Sequence, residues 1–198
     1  MKKARSGKII RDTAETQIEL ELCIDGRGES DLYTGCGFLN HMLILFAKHG
    51  NFDLHLSCKG DTDVDLHHTV EDVGICLGKA FAEAAGELRG VKRYAHVVLP
   101  MDEALVLCAT DLSGRSYLSY ELFNLPQKVG EFDTELAQEF MLAFVRNFPI
   151  ALHIKQISGT NGHHILECVF KAFARTLREA LAADPENPDA IPSTKGVL

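Results

Sequence analysis

The stretch His67-His68-Thr69-Val70-Glu71 returns later in the chain as His163-His164-Ile165-Leu166-Glu167. Upstream of these two copies, residues 51–56 (NFDLHL) align with residues 149–154 (PIALHI). The beginnings of the two regions align more faintly, with Glu15, Gly26 and Arg27 matching Glu103, Gly114 and Arg115 at a single offset. Self-similarity of this kind predicts an internal duplication. We expect a first half over residues 1–90, a second half over residues 91–183 and a tail over residues 184–198.

Both halves show the same order of predicted elements. Residues 17–22 alternate polar and apolar side chains, which is typical of a half-buried strand, whereas residues 104–109 are apolar throughout and indicate a strand covered on both faces. Glycine-containing turns, a further short strand and a helix follow, the helices falling at residues 38–49 and 134–147. A last strand then leads into the helix with the repeated motif. The pattern predicts an α+β fold of two β-β-β-α-β-α halves, each a four-stranded sheet with helices on one face.

The repeated motif favours metal binding. Residues three or four positions apart share one face of a helix, so each copy can direct a histidine and its glutamate at one ion. A single copy arises easily by chance, but two copies at matching places in a duplicated unit do not. Imidazole and carboxylate ligands suit Mn, Fe, Zn or Co, and the lack of thiolates argues against a structural zinc site. The polar loops before the motifs put the histidines near helix N-termini, where the dipole disfavours protonated imidazole.

The helix before each motif offers further ligands, because His41 in the first half aligns with Glu139 in the second. His49 lies two turns beyond His41 on the same face. Lys171 lies one turn beyond Glu167, where a cation can face an anionic substrate. Three other histidines fall in strand-like stretches and are predicted to be structural or surface residues; they are His55, His96 and His153.

Composition restricts the class of protein. With 198 residues and 46% hydrophobic content, the chain can bury a sizeable core. A net charge of −8 argues against a nucleic-acid partner, although local Arg and Lys side chains can still hold a phosphate. No apolar run approaches the roughly 20 residues that cross a bilayer, and no signal-peptide pattern follows the basic start. We therefore expect a cytoplasmic protein without a membrane partner, whose six cysteines, which lack C-x-x-C spacing, are free buried thiols.

Seven segments together resemble the imidazoleglycerol-phosphate dehydratase family over nearly the whole chain. They are residues 11–16 (RDTAET), 38–43 (FLNHML), 67–74 (HHTVEDVG), 100–105 (PMDEAL), 111–115 (DLSGR), 163–167 (HHILE) and 192–198 (PSTKGVL). The resemblance implies a lyase of histidine biosynthesis, a carbon–oxygen hydro-lyase whose two halves are like the second domain of ribosomal protein S5. It also implies a homo-oligomer of 24 subunits whose active sites are shared between neighbouring chains.

The resemblance implies residue roles as well. Two Mn²⁺ ions per active site would stabilise the substrate imidazolate while imidazoleglycerol phosphate is dehydrated to imidazoleacetol phosphate. Glu15 is the family-matched catalytic carboxylate, and its repeat partner Glu103 is a weaker candidate for the same work. The metal ligands would be His41, His67, His68, Glu71, Glu139, His163, His164 and Glu167. The substrate-binding residues would be Glu15, His49, Arg93, Arg115, Lys171, Ser193 and Lys195, the last two in a tail expected to close over the substrate.

Three positions depart from or vary within the family pattern. Glu139 stands where the family has either His or Glu. Asn40 and Leu66 replace the Asp that usually precedes His41 and His67, so a carboxylate that orients a ligand imidazole is missing or supplied elsewhere.

Two other functions compete with a dehydratase. A duplicated metal-storage protein would have no use for the arginines and lysine around a phosphate. A metal-dependent phosphoester hydrolase usually has carboxylate-rich ligands, whereas this ligand set is rich in imidazole.

Overall fold

The computed structural model describes residues 4–196 and shows two halves with the same order of elements. The first half contains β1 (Ser6–Asp12), β2 (Thr16–Cys23), β3 (Ser30–Tyr33), α1 (Gly37–Gly50), β4 (Asp53–Gly60) and α2 (His67–Ala85). The second half contains β5 (Tyr94–Met101), β6 (Ala104–Asp111), β7 (Tyr117–Glu121), β8 (Lys128–Val129), β9 (Phe132–Asp133), α3 (Leu136–Asn147), β10 (Ala151–Ser158) and α4 (Gly162–Ala180). The last two positions of the predicted tail, residues 197 and 198, lie outside the described residues.

Each half builds a four-stranded sheet of the same topology. The strand orders are β1-β2-β4-β3 and β5-β6-β10-β7. In the first sheet β2 pairs antiparallel with β1 and β4, while β3 runs parallel to β4 because α1 carries the chain back between them. The second sheet repeats these pairings. The duplication and the α+β class predicted from the sequence are therefore confirmed.

The helices of the two halves pack against each other and leave the sheets on the outside. Helix α1 packs against α4, and α2 packs against α3. Buried aromatic rings join the halves: Phe46 and Phe173 lie 5.4 Å apart between ring centroids, as do Phe81 and Phe144. Each pair of helices thus combines one helix from each half, which brings residues far apart in the sequence into one core.

The outer faces of the two sheets differ in polarity. Strand β2 exposes Glu19 and Glu21, whereas β6 presents Leu105 and Leu107, which are half-buried. Val98, opposite Leu107 on β5, is 47% exposed. The expectation that residues 104–109 are covered on both faces is therefore not met within one chain, because the helices cover only the inner face of the sheet.

The hairpin β8–β9 is an addition that the sequence pattern did not predict. Its strands have two residues each, too short to show an alternation of polar and apolar side chains. Thr134, predicted to begin a helix, donates its hydroxyl hydrogen to the carbonyl of Pro126 at 2.7 Å, and α3 begins at Leu136. The hairpin is thereby held against the start of α3.

The cysteines and three of the histidines lie as the sequence predicts, with the half-buried Cys23 as the exception. All six cysteines are free thiols, and five of them are buried. Between residues 4 and 196 there is no helix both long and apolar enough to cross a membrane. The three histidines predicted to be structural or surface residues are exposed on strands; they are His55, His96 and His153.

Candidate metal centre and phosphate cluster

Helices α1 and α4 bring three metal-competent side chains together. Ligand atoms of His41, His163 and Glu167 all lie within 4.8 Å of one another. Glu167 Oε2 is 3.3 Å from Nε2 of His41 and 3.3 Å from Nε2 of His163. His163 and Glu167 are one helical turn apart, but His41 belongs to the other half, so the packing of α1 against α4 completes the group. We call these three residues the metal trio.

Glu167 is a buried carboxylate that stays ionised. It is 7% exposed, and burial by itself would raise its pKa. Hydrogen bonds from Lys171 and His41 outweigh the burial, and the pKa of Glu167 lies below its ordinary value. One anionic oxygen between two imidazole nitrogens is a donor set that fits a divalent transition metal. His41 and His163 also line a cavity of about 870 Å³, which residues 62–66 and the hairpin help to enclose.

The corresponding residues of the other helix pair are His67, Glu71 and Glu139. Their helices, α2 and α3, pack together as α4 and α1 do, but these three do not meet the spacing of the metal trio in residues 4–196. Two of them are carboxylates, and like charges repel unless a cation lies between them. The presence of Glu139 instead of an imidazole makes this second group the more anionic of the two.

The second histidine of each motif contacts a carboxylate through Nδ1. His68 Nδ1 lies 2.9 Å from Asp61 Oδ2, and His164 Nδ1 lies 2.8 Å from Glu103 Oε2. These hydrogen bonds raise the pKa of both histidines. A carboxylate on Nδ1 fixes the ring and leaves Nε2 for a metal, which is the usual arrangement around a ligand histidine.

The two orienting carboxylates come from places that the motif comparison did not indicate. Asn40 accepts a hydrogen bond from the Thr34 hydroxyl at 2.8 Å, and Leu66 packs against the core. Asp61 reaches His68 from the loop after β4, and Glu103 reaches His164 from the turn between β5 and β6. Loop 61–65 is visibly acidic in the sequence, but which of its three aspartates contacts an imidazole depends on the path of the loop.

Glu15 and Glu103 occupy equivalent turns but have different surroundings. The Glu103 carboxylate binds His164 and accepts the backbone N–H groups of Asn161 and Thr160, at 2.8 and 3.2 Å; together these lower the pKa of Glu103 to about 2. Glu15 is exposed, with Oε1 at 3.7 Å from His68 Nε2. Because Asp61 binds Nδ1 of His68, the Glu15 carboxylate faces the nitrogen on the other side of that ring.

Four of the predicted substrate-binding residues line a separate cavity of about 680 Å³; they are Arg93, Arg115, Ser193 and Lys195. Arg93 is held in place by Asp111, with Nε 2.7 Å from Oδ1, and by the carbonyl of Pro192. Arg115 and Lys195 are exposed. Arginine and lysine side chains next to a serine hydroxyl are groups that bind a phosphate. We call these four residues the phosphate cluster.

Three of the predicted substrate-binding residues lie outside this cluster: Glu15 is beside His68, as described above, and Lys171 and His49 lie near the metal trio. Lys171 donates to Glu167 Oε1, and its side chain is only 14% exposed. Burial lowers the pKa of His49, and the positive charges of Lys171 and Arg175 lower it further. The ammonium of Lys171 therefore contacts the trio, and the imidazole of His49, which favours its neutral form, lies within range of the charges of Lys171 and Glu167.

The metal trio and the phosphate cluster lie towards opposite ends of α4. Glu167 is near the beginning of the helix, whereas the backbone N–H of Arg93 donates to the carbonyl of Ala180, its last residue, at 3.0 Å. At a rise of 1.5 Å per residue, Glu167 and Ala180 are about 20 Å apart. One chain therefore does not bring the two groups together.

Comparison with known proteins points to one family. A family model described as imidazoleglycerol-phosphate dehydratase matches residues 34–177. Imidazoleglycerol-phosphate dehydratases of Synechococcus sp. and Caldanaerobacter subterraneus subsp. tengcongensis are 52% and 54% identical over 194 residues, covering 98% of this chain and 96% and 100% of theirs. The crystal structure of imidazoleglycerol-phosphate dehydratase from Staphylococcus aureus matches with a TM-score of 0.82 at 40% identity, covering 90% of this chain and 99% of that one.

Proposed function

The chain belongs to the imidazoleglycerol-phosphate dehydratase family, a family of lyases, and from this premise we propose that it dehydrates imidazoleglycerol phosphate to imidazoleacetol phosphate in histidine biosynthesis. The observation that carries the proposal is the metal trio, in which a buried, ionised Glu167 joins imidazoles from both halves. The six free cysteines support placing the reaction in the cytoplasm.

The donor set suits Mn²⁺. When bound, two such ions supply Lewis acidity towards the imidazole ring of the substrate. Glu167 is held ionised by Lys171, and His68 and His164 are held by their Nδ1 atoms, so these three side chains present donor atoms in fixed orientations. The residues that would hold the ions are His41, His67, His68, Glu71, Glu139, His163, His164 and Glu167.

We assign the proton transfer at the substrate side chain to Glu15. The reaction removes a proton from C2 and the hydroxyl group from C3, which leaves as water. An exposed carboxylate 3.7 Å from His68 Nε2 is placed to exchange a proton with a substrate held at that histidine. Glu103 is a poor proton acceptor in comparison, because its carboxylate already accepts three hydrogen bonds and its pKa is about 2.

The separation along α4 supports an active site shared between subunits. The substrate, an imidazole on a three-carbon phosphate ester, is on the order of 10 Å long for bond lengths of about 1.5 Å. The metal trio and the phosphate cluster are farther apart than that within one chain, so one substrate molecule needs each group from a different copy. We therefore propose a homo-oligomer, of 24 subunits as in the family. The partly apolar outer face of the second sheet supports contact with another copy.

Incubation of purified, Mn²⁺-loaded protein with imidazoleglycerol phosphate tests the proposal. Formation of the enolisable ketone is the expected result, and chelator-treated protein is the matched control. Release of inorganic phosphate instead would identify a phosphoesterase, and metal uptake without either product would identify a storage protein. His68→Ala and His164→Ala should each abolish activity and metal-driven assembly, since each removes a proposed ligand.

A further inference from the structure

We propose that Asp72 is a positioning residue that fixes the turn carrying Glu15, acting through Arg11 and Thr16. The inference rests on the proposed role of Glu15 in proton transfer. Asp72 directly follows Glu71 on α2 and is only 5% exposed. Residues 11–16 belong to the segments that carry the family resemblance, yet Glu15 is the only one of them with a role in the chemistry described above.

Asp72 binds both strands of the first hairpin. Its Oδ1 accepts a hydrogen bond from Arg11 Nη2 at 2.7 Å, and its Oδ2 accepts the hydroxyl hydrogen of Thr16. Arg11 lies near the end of β1 and Thr16 begins β2, so the two contacts stand on either side of the turn with Glu15. A buried carboxylate with charge-assisted bonds to both strands sets where the turn lies relative to α2.

Hydrogen bonds within the turn tie the backbone of Glu15 to the adjoining ends of β1 and β2. The Thr13 hydroxyl accepts the backbone N–H groups of Glu15 and Thr16, at 3.2 and 2.9 Å. The carbonyl of Glu15 accepts the N–H of Asp61 at 3.1 Å, and Asp61 in turn holds His68. The base of the hairpin, Glu15 and His68 are thus one connected unit, and Asp72 ties that unit to α2.

The second half shows the same turn held without an ion pair. By the repeat alignment, the counterparts of Arg11, Thr16 and Asp72 are Leu99, Ala104 and Cys168. Cys168 bridges α4 to β5 with a hydrogen bond from Sγ to the carbonyl of Leu99 at 2.9 Å. The duplicated fold therefore does not need a charged pair to close the hairpin. Burying a charged pair carries a desolvation cost, and the half that has it is the half whose turn carries Glu15.

The first test transplants the second-half side chains into the first half. Removing both partners of this partly buried ion pair leaves no buried charge unpaired, so Arg11→Leu/Thr16→Ala/Asp72→Cys should fold and keep its Mn²⁺ content. We expect kcat to fall by roughly 100-fold with KM little changed, as for a catalytic group displaced by about 1 Å. Cys168→Ala, which removes the corresponding bridge in the second half, is the matched control and should keep the kcat of the parent protein. A triple variant with the parent kcat would overturn the proposal.

Amide hydrogen exchange supplies a readout independent of activity. Exchange at Asp61, whose N–H donates to the Glu15 carbonyl, should accelerate in the triple variant and stay unchanged in Cys168→Ala. Unchanged exchange in the triple variant would refute the positioning role even if kcat were low. If the triple variant fails to fold, Asp72→Asn takes its place, and it should show the same loss of kcat and faster exchange. If the parent protein has no dehydratase activity the proposed function fails, but the exchange measurement still decides whether Asp72 positions the turn.

Discussion

At the scale of single residues, neighbours decide what each duplicated carboxylate does. The Glu103 carboxylate accepts hydrogen bonds from two backbone N–H groups of the loop before α4 and is hydrogen-bonded to His164. In the first half Asp61, from the loop before α2, binds the equivalent ring nitrogen of His68, and Glu15 is left exposed beside that ring. The duplicated turn thus carries one carboxylate fixed on a histidine and one exposed beside a histidine, a difference that fits the separate roles proposed for them.

The division of roles predicts different kinetic effects for the same substitution. Glu15→Gln should lower kcat by about 100- to 10,000-fold without changing Mn²⁺ affinity, because it removes a proton-transfer group. Glu103→Gln should instead weaken Mn²⁺ binding by roughly 10- to 100-fold, because it removes the partner of a ligand imidazole. Steady-state kinetics and metal titration of both variants would check this. The assignment is wrong if Glu103→Gln lowers kcat at saturating Mn²⁺ as strongly as Glu15→Gln does.

The Glu103–His164 contact predicts a stability difference confined to a pH window. The folded-state pKa of Glu103 is about 2, below the ordinary value of 4.5. The ionised Glu103 carboxylate therefore contributes to the free energy of unfolding above pH 4.5, and this contribution is lost as the pH falls towards 2. The folded-state pKa of His164 is raised above the ordinary value of 6.5. Protonated His164 therefore contributes to the free energy of unfolding below pH 6.5, and this contribution is lost as the pH rises through the raised pKa. The gap in unfolding temperature between metal-free parent protein and Glu103→Gln should therefore be widest between pH 4.5 and 6.5. Glu15→Gln is the control, and a gap independent of pH would contradict the prediction.

At the scale of elements, close helix packing places the proposed metal ligands. Helices α2 and α3 approach so closely that a Cβ at Gly78 would lie 2.6 Å from the carbonyl oxygen of Phe144, and one at Gly74 would lie 2.7 Å from that of Phe140. Such distances are too short for a methyl group, so the two glycines set the separation of the helices. The same helices carry Glu71 and Glu139, and the separation therefore also sets how two proposed ligands meet.

Gly78→Ala should consequently destabilise the protein by about 1–3 kcal/mol, because the added methyl group must push α3 away. Denaturant unfolding of the metal-free protein measures the effect. Gly37→Ala is the matched control, since a Cβ at this helical glycine meets no atom within 4 Å. Equal stability of the two variants would mean that α3 moves aside without cost.

At the scale of the whole molecule, the proposed function assigns the two ends of α4 to different active sites. Lys171 adjoins the metal trio, whereas Lys195 lies in the phosphate cluster at the far end of the helix. Under that proposal the oligomer, and not the single chain, is the unit that acts on the substrate. Because Ser193 and Lys195 belong to the tail, we expect the tail to act on a substrate held by another copy.

Mixed oligomers of two variants with low activity should therefore regain dehydratase activity. Lys171→Ala and Lys195→Ala should each have low activity, but a mixture that is chelated, combined and reloaded with Mn²⁺ should regain activity through sites with one intact lysine from each copy. Each variant taken alone through the same steps is the control. A mixture no more active than its components would argue that both lysines serve one site.

Removal of residues 192–198 should raise KM and lower kcat, because the deletion takes away Ser193, Lys195 and the carbonyl that fixes Arg93. Steady-state kinetics of the shortened protein with saturating Mn²⁺ is the measurement. Kinetics equal to those of the full chain would rule out a closing role for the tail.

The parts of the fold and site that could be predicted are those with short-range signatures. The alternation in residues 17–22, the four-residue spacing of His163 and Glu167 and the recurrence of a long pattern all depend on geometry within one element. The hairpin β8–β9, with two residues per strand, is too short for such a signature. Asp72 was no more conspicuous than any other charge on a helix, because its partners Arg11 and Thr16 belong to a different part of the chain.

Local sequence patterns were sufficient to predict a duplication of one α+β half and to place a pair of histidines and a glutamate on a helix of each half. Three further features become apparent only in the folded chain: His41 meets Glu167 across 126 positions, Asp61 and Glu103 hold the second histidines, and the phosphate cluster lies at the other end of α4. The physical reason is that spacing along a helix or strand fixes which side chains share a face. Contacts between halves depend instead on how helices pack and how loops run, which no local pattern encodes.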